Sequence, residues 1–67
     1  MNELAYLYKL TAQTDLTDAI EVSNLKRTAG AVTTCARACG RMTDDEASDF
    51  FHTLRGLDRT TEAKNEQ

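Results

Sequence analysis

The central part of the chain has apolar residues at helical spacing. Steps of three and four residues alternate along it, as at the a and d positions of a heptad repeat. The residues of this seam are Val22, Leu25, Ala29, Val32, Ala36 and Cys39. Gly30 is the one strong helix-disfavouring residue in the stretch. The spacing therefore predicts one long helix over residues 15 to 39.

A turn and a third helix follow this seam. Gly40 suits the left-handed conformation that ends many helices, and Thr43 with Glu46 forms the sequence signature of a capping box. An apolar stripe then begins, and it consists of Ala47, Phe50, Phe51, Leu54 and Leu57. We predict a helix over residues 44 to 56, ended by Gly56, that buries Phe50, Phe51 and Leu54 against the central helix.

The first residues admit two interpretations. Leu4, Leu7 and Tyr8 follow helical spacing, whereas alternate positions from Leu4 to Leu10 also fit a strand. Asn2 is a suitable N-cap, and an isolated strand would have no partner in the chain. We therefore predict a short helix over residues 3 to 12.

These elements predict an all-α fold, a helical hairpin preceded by a short N-terminal helix. The domain spans residues 1 to 57, and residues 58 to 67 form a flexible tail. Between Thr28 and Gly40 the only charged residue is Arg37, and small residues lie on several sides of the helix. A helix of that kind needs close neighbours on more sides than one hairpin covers. We expect the N-terminal helix and a second copy of the chain to supply them, giving a dimeric helical bundle.

Composition narrows the class of partner. The net charge is -3 and the pI is about 4.9, which argues against a nucleic-acid partner, since nucleic-acid affinity depends on Lys and Arg contacts to phosphates.

The two cysteines bear on the cellular compartment. Cys35 and Cys39 are four residues apart, too poorly placed for a disulfide within one helix. With reduced thiols, no signal peptide and no long apolar run, we expect a cytoplasmic protein that does not enter membranes.

No group of residues matches a catalytic or cofactor site. Cys35, Cys39 and His52 could approach one another across the hairpin, but one His and one Cys pair fall short of a closed zinc set, and small core thiols with a rim histidine are the simpler interpretation. The acidic residues from Asp44 to Asp49 are typical of a helix N-terminus. We expect no metal, no cofactor and no enzymatic activity.

Two kinds of exposed residue are candidates for binding a protein partner. The first is an aromatic pair, Tyr6 and Tyr8, which lie on different sides of a helix so that one at least is exposed. The second is a set of arginines in two same-side pairs, which the hairpin could bring toward one end. These arginines are Arg37, Arg41, Arg55 and Arg59.

The leading hypothesis is a small homodimer that binds a protein and masks or bridges its surface, as regulatory inhibitors, anti-activators and antirepressors do. The alternative is a DNA-binding transcriptional regulator with a helix-turn-helix-like segment at residues 14 to 32. Ser23 would then stand in the turn, where a glycine is expected, and Asp18 would take a normally apolar position. Salt-sensitive binding to random duplex DNA would favour the alternative.

Overall fold

A computed structural model describes residues 2 to 60 of the 67-residue chain. Within that range there is no strand, and the chain forms three α-helices: α1 over Glu3–Ala12, α2 over Ala19–Ala38 and α3 over Asp44–Leu57. The all-α class is therefore confirmed. The bounds of α1 coincide with those predicted, so the first segment is a separate helix and not a strand.

The start of α2 differs from the prediction, which placed it at Asp15. The Asp15 carboxylate accepts hydrogen bonds from the backbone N–H and the hydroxyl of Thr17, at 3.0 and 2.6 Å, and so holds residues 15 to 17 in a turn. Asp18 is the N-cap instead, because its carboxylate accepts from the backbone N–H of Ile20 and of Glu21. Side chains of this type favour turns and caps over helix interiors.

The link between α2 and α3 has the local structure that its sequence predicts. Gly40 has a φ of 75°, and the N–H of Arg41 donates to the carbonyl of Ala36 at 2.8 Å, the pattern of a Schellman motif. Thr43 and Glu46 form the complete capping box, since the Thr43 hydroxyl accepts from the Glu46 N–H and the Glu46 carboxylate accepts from the Thr43 N–H.

The end of α3 lies beyond Gly56, which is inside the helix and does not end it. Asp58 caps α3, and the N–H of Arg59 donates to the carbonyl of Leu16 at 3.0 Å. Residues 58 to 60, which were predicted to belong to the tail, are thus hydrogen-bonded to the rest of the fold. The remainder of the predicted tail lies outside the described residues.

The helices run up, down and up. Arg37 pairs with Asp44 at 3.4 Å beside the turn, while Lys26 pairs with Asp58 at 3.0 Å, so α3 runs antiparallel to α2. Glu3, at the start of α1, pairs with Arg41 at the same turn. The N-terminus of α1 therefore lies at the turn, and α1 contacts both other helices.

One apolar cluster lies between the three helices. Its buried members are Leu7, Leu25, Ala29, Ala36, Met42, Ala47, Phe50 and Leu54. Phe50 is the largest of them and is 1% exposed. Its ring meets those of Tyr8 and Phe51 edge to face, with centroids 5.2 and 5.4 Å apart, so Phe50 joins α1 to α3.

The predicted seam of α2 is buried only in part. Val22 is buried along with Leu25, Ala29 and Ala36, but Val32 is half-buried and Cys39 is exposed. A straight helix has 3.6 residues per turn, so a strict seven-residue repeat drifts by about 20° per heptad away from the core. Thr33 takes the buried place that follows Ala29, at 1% exposure, and its hydroxyl donates to the Gly30 carbonyl.

Asp58 gives the fold a measurable dependence on acid. Its carboxylate accepts from the hydroxyl and N–H of Thr60 and from the Lys26 ammonium, and these contacts lower the pKa of Asp58 from 3.8 to about 2. A lowered folded-state pKa stabilises the fold above pH 3.8, and that contribution is lost as the pH falls toward 2.

Asp58→Asn is therefore expected to be less stable than the natural chain at pH 7. The difference should shrink from pH 4 to pH 2, because the carboxylate is protonated in the unfolded chain first and then progressively in the folded one. Thermal unfolding followed by circular dichroism across this pH range measures the effect. Asp49→Asn, an exposed carboxylate of α3, is the control for charge removal alone. Parallel pH profiles for the natural chain and Asp58→Asn would contradict the prediction.

Candidate protein-binding surfaces

The outward side of α2 lacks charge over its second half. The exposed residues there are Ala31, Thr34, Cys35 and Ala38, which we call the small-residue face. Arg37, the one charged residue between positions 28 and 40, is turned toward α3 by its ion pair with Asp44. Helix sides that face water normally carry charged residues. The small-residue face is therefore an unusual exposed surface for a helix of this length.

Ile20 extends this side of α2 toward its N-terminus. At 73% exposure it is the most exposed large hydrophobic residue within residues 2 to 60. Ile20 and Ala38 are eighteen positions apart, which is five helical turns and about 27 Å, so the two residues lie on the same side of the helix.

Both tyrosines are exposed, and each borders a different neighbour of α1. Tyr6 is 44% exposed and, with Asn2, Glu3 and Val32, lines an open depression of about 380 Å³ between α1 and α2. Tyr8 is 40% exposed and packs its ring against Phe50 on the side of α3. The pair therefore presents two separate aromatic contacts rather than one joint surface.

The arginine pairs do not meet at one end, contrary to the sequence-based expectation. Arg37 and Arg41 lie beside the turn, where both form ion pairs. Arg55 and Arg59 lie where α3 ends, beyond the level of Lys26. Positions 26 and 37 of α2 are about 16 Å apart along the helix axis, which separates the two pairs.

A groove between α2 and α3 combines apolar and basic residues. It has a volume of about 260 Å³, and its lining residues are Lys26, Phe51, Leu54 and Arg55. Phe51 is half-buried and Leu54 is buried, so they form the floor, while the two exposed cations stand on opposite helices and form the rims. We call this the basic groove.

A second groove, between α1 and the first half of α2, is lined mainly by uncharged polar residues. Its volume is about 340 Å³, with Leu10 and Leu25 among the lining residues. Glu21 is the ionisable residue of the lining, and its carboxylate accepts from the Asp15 N–H at 3.0 Å. That hydrogen bond ties the carboxylate to the loop before α2.

The cysteines are not core thiols, because Cys35 and Cys39 are both exposed. Within residues 2 to 60 they do not converge with His52 into a ligand cluster. The carboxylates that do converge, within 4.8 Å, belong to Asp15, Asp18 and Glu21. Asp18 caps α2, and Glu21 accepts a hydrogen bond from the Asp15 N–H. The hydrogen bonds that Asp15 accepts from Thr17 lower the pKa of Asp15.

The segment proposed for a helix-turn-helix does not have that geometry. Ser23, which would stand in the turn, lies inside the continuous helix α2. In a helix-turn-helix motif, the recognition helix lies in the major groove while the preceding helix crosses the DNA backbone. The two helices must therefore be separated by a turn. The DNA-binding hypothesis thus loses the motif on which it depended.

Comparison with known proteins gives no relative from which a function could be transferred. No family model, curated protein or solved structure significantly matches this chain. None of the helices within residues 2 to 60 has both the length and the apolar character needed to cross a membrane.

Proposed function

We propose that this chain is a non-enzymatic, homodimeric helical module that binds another protein and masks or bridges its surface, in the manner of a regulatory inhibitor, anti-activator or antirepressor. The observation that carries the proposal is the small-residue face, a water-exposed helix side without charge. Neither α1 nor α3 covers this side of α2. α1 packs on α2 and α3 packs on α1, and Ala29 and Ala36, which α2 contributes to the shared core, lie on the opposite side of the helix.

A second copy of the chain, which offers the same small side chains, fits this face better than a surface of large side chains would. Small side chains allow two helix axes to approach to about 8 Å, the lower end of the usual range. Each copy has a net charge of -3, but the small-residue face adds no charge to the contact between them. Arg27 is the charged residue that the first half of this side contributes. Two-fold dimers also bring the same surface of both copies together.

An antiparallel pairing of the two α2 helices matches large residues with small ones. If the two-fold axis passes near the middle of α2, Ile20 of one copy lies level with Ala38 of the other, and Arg27 lies level with Ala31. The exposed isoleucine would then be covered at each end of the interface. Burial of such a side chain is worth about 1.5 to 3 kcal/mol.

Sedimentation velocity at micromolar concentration tests the dimer. We expect the natural chain to sediment as a dimer and Ala31→Lys to sediment as a folded monomer, because the new ammonium would lie level with Arg27 of the second copy. Ala5→Lys is the matched control, since Ala5 is an exposed alanine on the outer side of α1. It should leave the dimer intact.

Different results contradict the dimer and the surface through which the copies pair. A stably folded monomer of the natural chain would show that the dimer is wrong. A dimer that survives Ala31→Lys would show that the copies pair through another surface. Circular dichroism of each variant verifies that any loss of the dimer is not caused by unfolding.

A further inference from the structure

We infer that the basic groove is the surface on which the proposed module holds its partner, and that the partner supplies an acidic amphipathic helix. This inference rests on the proposed function, since it names the class of protein segment that the module binds. Grooves between two helices commonly accept one face of a partner helix, with apolar anchors inserted and polar residues at the edges.

The two rim cations are open to a ligand. Arg55 is exposed and makes no ion pair within residues 2 to 60. The Lys26 side chain is 52% exposed although it contacts Asp58, whose own side chain is 7% exposed and also accepts two hydrogen bonds from Thr60. A lysine ammonium has three donors, so this contact leaves Lys26 able to bind a further carboxylate.

The apolar floor of the groove determines the size of the apolar side chain that the ligand can insert. Phe51 and Leu54 line a volume of about 260 Å³, which accommodates one large side chain such as leucine. The rims lie on different helices, so carboxylates on both sides of that anchor can reach a cation. A helix with a leucine and with glutamates one turn before and after it presents this arrangement.

The charge at the groove differs in sign from that of the whole chain. Lys26 and Arg55 line the groove, and Asp58 is the carboxylate in contact with Lys26, which gives one more cation than anion. The chain as a whole has a net charge of -3. The groove therefore favours acidic segments, while the rest of the surface repels them at longer range.

Fluorescence anisotropy with a defined probe tests the inference. The probe is a fluorescein-labelled 16-residue helical peptide with a leucine flanked by glutamates at both helical spacings, and its counterpart has glutamines in their place. We expect the natural chain to bind the glutamate peptide about tenfold or more tightly than the glutamine peptide, since hydrogen bonds between charged groups are lost. Raising the salt concentration should weaken the binding of the glutamate peptide alone.

The variant Arg55→Gln should reduce binding of the glutamate peptide about tenfold. Lys9→Gln, which removes an exposed cation of α1, is the matched control and should leave binding unchanged. An equal loss with both variants would show general electrostatic attraction and would overturn the inference. No anisotropy change up to millimolar protein would overturn it as well.

Sedimentation of the same variants distinguishes the inference from the proposed dimer. If Arg55→Gln converts the dimer to a monomer, the groove is occupied by a second copy, and the acidic partner helix is wrong. If the natural chain is a monomer that still binds the glutamate peptide, the dimer is wrong and the groove assignment stands. If the natural chain is a dimer that does not bind the glutamate peptide, the dimer stands and the groove assignment is wrong.

Discussion

Phe50→Ala is expected to lower the free energy of unfolding by about 3 to 5 kcal/mol, the usual loss when a buried phenylalanine is truncated to alanine. Phe50 is 1% exposed, and its ring contacts Tyr8 of α1 as well as Phe51 of α3. Natural domains are stable by only about 5 to 15 kcal/mol, and a chain of this size lies toward the lower end. We therefore expect Phe50→Ala to be largely unfolded at 37 °C in thermal circular dichroism.

Phe51→Ala provides the matched comparison for this result. Phe51 is half-buried, so its truncation removes less buried area and leaves a site open to water. We expect a clearly smaller loss of stability. Equal losses for the two variants would mean that Phe50 has no special place between α1 and α3, and that its edge-to-face contacts with Tyr8 and Phe51 do not hold the helices together.

The local features of the fold were predictable because short-range contacts determine them. Gly40, Thr43 and Glu46 lie within seven consecutive residues, and their hydrogen bonds need no distant partner. Asn2 likewise caps α1 through the N–H of Ala5 at 2.8 Å. For such features the sequence contains both members of each interaction, so a capping rule suffices.

Features that depend on a choice between similar residues were less predictable. Asp15 and Asp18 are both suitable N-caps, and the hydrogen bonds of Thr17 to Asp15 decide between them. Along α2 the heptad repeat identified Ala29 and Ala36 correctly but missed buried Thr33. A threonine can be buried when its hydroxyl bonds the backbone of its own helix, which apolar spacing alone does not reveal.

The binding surfaces depend on contacts between helices, which the sequence does not specify. We expected that the hairpin could bring the two arginine pairs toward one end, but Arg37 and Arg41 lie beside the turn, whereas Arg55 lies near the far end of α3. The basic groove could have been anticipated only by pairing position 26 with position 58 across the bundle. The uncharged stretch of α2, in contrast, is a property of the sequence itself, and the structure leaves its outward side exposed.

Ala36→Phe is expected to lower the free energy of unfolding by about 1 to 3 kcal/mol or more through overpacking. Ala36 is fully buried and belongs to the core cluster with Met42 and Ala47, close to the turn where the chain reverses direction. A larger ring there has to displace α3 or the turn, because protein interiors have few voids larger than a water molecule. The loss corresponds to a fall in Tm of roughly 4 to 8 °C for each kcal/mol in a domain of this size.

Thermal unfolding by circular dichroism measures this change, with Ala5→Phe as the control for adding a phenylalanine to an exposed helical position. The control should change Tm little, because surface substitutions usually alter stability by less than about 0.5 kcal/mol. An unchanged Tm for Ala36→Phe would place Ala36 in contact with solvent. The buried side of α2 would then be assigned wrongly, and the small-residue face, which lies opposite to it, would no longer be the outward side of the helix.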